Sequence, residues 1–247
     1  MRVAGGDCVS LRKGLMATPE NQSPGDRPES VSIAIREVLS GGPPADGRVG
    51  EGMLFRTNKG DFRGILHPAP GSHQAVVWVS GVRGGFGGPG PGIYARMAGV
   101  LQGQGITSLR LDYRYPGDFQ ECVLDLLAGI SYLGKDEYGP VVVVGHSFGG
   151  AVVIAAGAVS PSVKGVVCLS PQTRGTGAVA QLSPRRLLVV HGKSDTRLPY
   201  SCAQQIYAAA LEPKELVLYD GAEHRLAECR EELEKLLEAW IPAALAA

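Results

Sequence analysis

Gly145-His146-Ser147-Phe148-Gly149-Gly150 sets a serine midway between two glycines. A serine hydroxyl is a weak nucleophile, and it attacks a carbonyl only when a neighbouring base takes its proton. In a chain with 35 glycines the G-x-S-x-G spacing decides little alone. Its flanks decide more. Val141-Val142-Val143-Val144 precedes it and reads as a buried strand, while residues 151–159 are small and apolar and read as a buried helix. A strand that turns at once into a helix holds Ser147 on a sharp, strained elbow. Gly145 and Gly149 are then required, because a Cβ at either would strike the neighbouring strand or helix. The helix begins just behind Ser147, so its first N–H groups face any negative charge that develops there.

The chain has five histidines. His67 and His73 flank the loop before the first long apolar strand. His146 adjoins Ser147 and is expected to point away from it. His191 ends the run 187–190, too early to be the last member of a triad. His224 follows the last strand, in Asp220-Gly221-Ala222-Glu223-His224, where a loop can reach back over the sheet. It is the candidate base. The acid that orients it should be Asp195, in His191-Gly192-Lys193-Ser194-Asp195, directly after the preceding strand. Asp220 is the rival, disfavoured by its closeness to His224 in sequence. Ser147, Asp195 and His224 then occur in the chain order Ser, Asp, His, each past a different strand end.

These segments resemble the α/β-hydrolase superfamily, and most of all its compact dienelactone-hydrolase-like and small-esterase members. Residues 145–150, 191–195 and 221–224 match that family's three motifs in order, and the likeness covers roughly residues 51–241. It implies a Ser147-His224-Asp195 triad and an oxyanion hole. One oxyanion donor is expected to be the Phe148 amide, the other an amide from the loop Ser80-Gly81-Val82-Arg83-Gly84-Gly85, where the superfamily often carries His-Gly. By position that donor is Val82, with Arg83 as the alternative. The resemblance implies an acyl-enzyme route with no metal or organic cofactor. It leaves the substrate open between ester, thioester, lactone and amide. The fold also serves as a non-catalytic binding module, which commonly lacks a triad member.

The elements needed to bring these residues together are visible as patterns. Residues 53–57 and 62–66 flank Asn58-Lys59-Gly60-Asp61 and read as a hairpin. Short Val-rich runs follow at 75–79, 107–111, 141–144, 163–169, 187–190 and 216–219. Their lack of alternation fits strands covered on both faces, as in a parallel sheet. Helical periodicity lies between them at 93–102, with Met97, Val100 and Leu101 on one face, and at 119–133. Further helices are expected at 151–159, 201–211 and 227–241. The prediction is an α/β fold: a mostly parallel sheet of about seven to eight strands with an antiparallel start, flanked by helices. Residues 171–186 are too few for a lid domain, so the site should be open. Ligands in such sheets bind at the strands' carboxyl ends.

Residues 1–50 are expected to form a leader outside the catalytic unit 51–247. The first 30 or so are polar and broken by Pro and Gly, and bury too little apolar surface to order. A short strand at 32–38 and a loose stretch at 41–50 follow. Basic and acidic residues balance at 24 each, with no basic stripe for nucleic acid and no polybasic segment for an anionic membrane. A spanning apolar run and a secretory pattern are both missing. Cys8, Cys122, Cys168, Cys202 and Cys229 are odd in number and lack metal-ligand spacing. They read as free thiols in a reducing, cytoplasmic setting. The expected partner is a small ester-like molecule, with Arg83, Arg174 and Arg197 near the pocket mouth as cations that could hold an anionic one.

Overall fold

A computed structural model describes residues 2–4, 8–12, 30–42, 44, 47, 49–135 and 139–247. Half of the expected leader lies outside them. The chain runs β1 (Arg2–Ala4), β2 (Cys8–Arg12), β3 (Ser30–Ser40), β4 (Glu51–Thr57), β5 (Gly60–His67), β6 (Ala75–Val79), α1 (Ile93–Gly103), β7 (Thr107–Asp112) and α2 (Phe119–Lys135). It continues through β8 (Val141–His146), α3 (Phe148–Val159), β9 (Val163–Leu169), β10 (Arg186–Gly192), α4 (Ser201–Ala209), β11 (Lys214–Tyr219) and α5 (Arg230–Leu245).

Ten strands lie in the order β1-β3-β4-β5-β7-β6-β8-β9-β10-β11, and β2 pairs with β3 beside this path. The sheet is thus wider than the seven to eight strands expected. The additional strands come from the segment before Glu51: β3 pairs antiparallel with β4, and β1 and β2 pair antiparallel with β3. The short strand expected at 32–38 is the centre of β3, whereas β1 and β2 are brief strands not read from the sequence. The β4–β5 hairpin closes with Thr57 opposite Gly60, so the turn is shorter than the four residues read from sequence. From β7 to β11 every pairing is parallel.

Parallel strands joined by helices must be covered on both faces, and the burial is of that kind. Every residue of β6 is buried, as are Val141 to Val144 of β8. On one face Val77, Val143, Val166 and Val189 pack with Leu126, Leu133 and Ile154, under α2 and α3. On the other, Val76, Val142, Val167 and Leu188 pack with Met97, Leu101, Leu237 and Trp240, under α1 and α5. Met97 and Leu101 face inward as expected, but Val100 is 39% exposed. The inward stripe of α1 instead runs through Ile93, Tyr94, Met97, Ala98 and Leu101, at spacings of three and four.

The chain steps from β6 to β7 on one side, then to β8 on the other. The carboxyl ends of β6 and β8 therefore flank the point where strand order reverses, and a crevice opens there in such sheets. Between β9 and β10 lies only a loop with one short 3-10 turn, Val179–Leu182, and no lid domain. One wall of the crevice is the connection from β7 to α2. It is anchored by Arg114, whose Nε donates to Asp125 and whose Nη2 lies 2.7 Å from Glu121 Oε2. The Arg114 side chain is 1% exposed and that of Asp125 0%. Replacing Asp125 with Ala removes the fully buried carboxylate of this pair and leaves the guanidinium with Glu121 alone. This should lower unfolding free energy by about 3–5 kcal/mol, measured by urea denaturation of parent and variant.

Candidate active site

Ser147 occupies the turn between β8 and α3 with φ 57 and ψ −117, a conformation that L residues rarely adopt. The surroundings hold it there. Its N–H donates to Leu169 O at 2.8 Å, and its own carbonyl accepts the Gly150 N–H at 3.0 Å. The two glycines have the role read from sequence. A Cβ on Gly145 would lie 2.1 Å from Gly149 O, and one on Gly149 would lie 2.4 Å from Ser80 O. Only bare backbone lets β8, α3 and the loop after β6 approach this closely.

The structure brings Ser147, His224 and Asp195 together. His224 Nε2 lies 3.1 Å from Ser147 Oγ, and His224 Nδ1 lies 2.7 Å from Asp195 Oδ2. The loops carrying Asp195 and His224 are fastened to each other. Ser194 N–H donates to Ala222 O at 3.0 Å, and Glu223 Oε2 accepts from both the amide and the hydroxyl of Thr196 at 3.1 Å. Asp220, the rival acid, instead forms an exposed ion pair with Lys193 at 2.8 Å.

Asp195 has more partners than the sequence suggested. Its Oδ1 accepts the amides of Arg197 and Leu198 at 2.8 and 2.9 Å. Its Oδ2 accepts from His224 and also from His191 Nε2 at 3.0 Å. Burial would raise the carboxyl's pKa, but the Leu198 amide, His224 and the Arg197 amide together hold it below the usual carboxylate range. His191 Nε2 also faces Leu198 O at 3.1 Å, so both its neighbours are acceptors and the proton resides on Nε2. Its Nδ1 is buried without a partner. Burial accordingly pushes its pKa down. Sequence reasoning weighed His191 only as a base and missed it as a donor. The available signal was its position four residues before Asp195.

The His146 ring is engaged by the loop of His224, not by the Ser147 hydroxyl. Its Nε2 donates to the backbone carbonyl of His224 at 3.0 Å, and the two rings sit 4.9 Å apart. It therefore ties the elbow to the loop of the candidate base. Burial pushes its pKa down to about 4.

The candidate oxyanion donors stand where the Phe148 amide opens α3, at a helix end whose first N–H groups lack carbonyl partners, and in the loop after β6. A Cβ on Gly81 would lie 3.6 Å from Ser147 Cβ, so this loop abuts the nucleophile. Two clefts flank Ser147. One, of about 350 Å³, is lined by Ser147, His224, Val82, Arg83, Arg197 and Arg225. The other, of about 560 Å³, is lined by Val82, Phe119, Phe148, Gln172 and Arg174 among others. Arg83 and Arg197 thus reach the cleft that contains Ser147, while Arg174 lies in its neighbour. Among the described residues no group of three His, Cys, Asp or Glu side chains is arranged to hold a metal ion.

A family model described as the alpha/beta hydrolase family matches residues 66–245. The chain belongs to the alpha/beta hydrolase family. Over 50 residues it is 40% identical to the uncharacterized protein YfhR of Escherichia coli strain K12, a stretch spanning 20% of this chain and 18% of YfhR. Among solved structures it is similar to Est1E from Butyrivibrio proteoclasticus, with a TM-score of 0.67 at 18% identity over 81% of this chain and 100% of that one. Dienelactone hydrolase from Anabaena variabilis gives a TM-score of 0.68 at 19% identity over 76% of this chain and 94% of that one. At these identities the likeness concerns the fold. Within the family fold, the site's own geometry carries the chemistry.

His146 makes a test of that geometry by pH. The unfolded chain protonates it near 6.5 and the folded protein near 4. Below 6.5 the unfolded state therefore binds the extra proton, and stability falls until the pH reaches about 4. His146→Gln keeps a donor to the His224 carbonyl without a titrating group. Between pH 6.5 and 4 it should lose about 2–3 kcal/mol less stability than the parent, as read from denaturation curves across that range.

Proposed function

We propose that this chain is a serine hydrolase that cleaves small carboxylic esters or thioesters through an acyl-enzyme intermediate. The observation that carries the proposal is the continuous line Ser147 Oγ to His224 Nε2 at 3.1 Å and His224 Nδ1 to Asp195 Oδ2 at 2.7 Å. Ser147 Oγ attacks the carbonyl carbon as its proton passes to His224 Nε2. Asp195 accepts from Nδ1–H, which leaves Nε2 free to take that proton, and its negative charge stabilises the imidazolium. The amides of Phe148 and Val82 receive the oxyanion. His224 then protonates the leaving group, and a water, activated by the same imidazole, releases the acyl group. None of these steps calls on a group beyond the chain's own residues and water.

The open crevice supports a small substrate. Est1E has been solved with ferulic acid bound, so a protein of this fold can hold a small aromatic acid. In our reading residues 51–247 form the catalytic unit, and β1 to β3 extend its sheet. No described helix is long and apolar enough to cross a membrane, and all five cysteines are free, which agrees with action in a reducing, cytoplasmic setting.

A fluorophosphonate probe should label the parent and leave Ser147→Ala unlabelled. Label persisting on that variant would remove Ser147 as nucleophile, and a parent that neither labels nor turns over a short aryl ester would favour a binding module instead. Asp195→Asn should lower kcat on the order of 10³–10⁴-fold while the protein stays folded. An unchanged kcat, measured beside a circular dichroism spectrum, would assign the orienting role to another carboxylate.

A further inference from the structure

Two sets of arginines contrast among the described residues. Arg56, Arg63, Arg96, Arg114, Arg186 and Arg230 each form an ion pair with a carboxylate. Arg83, Arg197 and Arg225 line the cleft that contains Ser147 and His224, and among the described residues none of the three is ion-paired. Among the described residues no carboxylate lines that cleft. The acidic groups nearby are already engaged. Asp195 takes four donors from the protein, Glu223 holds Thr196, and Asp112 accepts the Gly85 N–H at 2.6 Å and lies 3.6 Å from Arg63. Arg225 is held in place, with Nη2 donating to Gly90 O at 3.1 Å. Three cations converging on one concave surface repel each other and concentrate positive potential there, in a chain whose net charge is zero. An anion entering the cleft removes that repulsion and meets guanidinium forks suited to oxyanions.

The reaction's direction says which part of the substrate the anion belongs to. As Ser147 Oγ bonds to the carbonyl carbon, its proton moves to His224. The bond from that carbon to the leaving oxygen then breaks, and His224 gives the proton to that oxygen. The leaving group therefore lies on the His224 side, in the arginine-lined cleft. The acyl group extends past the Phe148 and Val82 amides into the other cleft, where Phe119 and Phe148 offer aromatic surface and Asp118 offsets Arg174.

We infer that the substrate of this site is an ester whose leaving group carries an oxyanion, a carboxylate or a phosphate, and whose acyl group is uncharged. This rests on the assignment of Ser147 and His224 as nucleophile and base. Three aryl butyrates separate the possibilities: the 4-carboxyphenyl, 4-phosphonophenyl and 4-carbamoylphenyl esters, the last being neutral. Intrinsic reactivity opposes the inference, because a carboxylate substituent makes a poorer leaving phenolate than a carbamoyl group. At low ionic strength the parent should show a kcat/KM for at least one anionic ester on the order of tenfold above the neutral one. The larger of the two anionic values identifies which oxyanion fits. The ratio should shrink toward one in 1 M salt, where the screening length is about 3 Å, and in the double variant Arg197→Gln, Arg225→Gln. Turnover of the neutral ester as fast as both anionic esters overturns the inference alone. If no ester turns over and fluorophosphonate does not label the protein, the hydrolase reading itself falls, and this inference with it.

Discussion

A carboxylate taken out of water is tolerated only if hydrogen-bond donors replace its hydration, and Asp195 is the point where this requirement organises the molecule. Two backbone amides of its own loop satisfy one oxygen, and two imidazoles satisfy the other. The amides come from a tight turn after β10, and His191 comes from the end of β10 itself. His224 comes from the loop after β11. A single buried oxygen thereby fixes the relation between two loops and sets the tautomer of the ring facing Ser147. Displacing any one donor would leave the remaining charge less well solvated, so the arrangement is held cooperatively rather than by one contact.

The opposite end of the line is held by sterics. Ser147 keeps its unusual backbone angles because side-chain-free backbone at Gly145 and Gly149 lets three segments pack where any Cβ would collide. Its amide is satisfied across the sheet by Leu169 O, and His146 carries a further bond from the elbow to the His224 carbonyl. Hydroxyl, imidazole and carboxylate thus belong to three strand ends, with the β8–β10 spacing of a parallel sheet supplying the distances. The core beneath is apolar on both faces, and burial of those faces sets the sheet that the loops depend on.

Charge is distributed unevenly over the finished surface. Several arginines elsewhere are neutralised by carboxylates, while those beside Ser147 have no carboxylate partner among the described residues. That contrast gives the two clefts different characters although they share Val82 as a common wall.

Much of this was legible before any coordinates. Unbroken valine runs mark strands covered on both faces, because a residue such as Val143 has no polar side to present. The G-x-S-x-G elbow, with Val141 to Val144 before it and small apolar residues after it, identifies the strand-to-helix turn by local sterics alone. The order of Ser147, Asp195 and His224 past successive strands follows from the same local patterns. Other features depend on partners distant in the chain. A short strand is legible at 32–38, but its extension to Ser30–Ser40 and its pairing with β4 are not. His191 looks like a strand-end residue until folding places its Nε2 against Asp195 Oδ2, and the convergence of Arg83, Arg197 and Arg225 exists only once three loops share one rim. Local conformation is written in neighbouring residues, whereas hydrogen bonds and fields between loops are decided by the packing that brings those loops together.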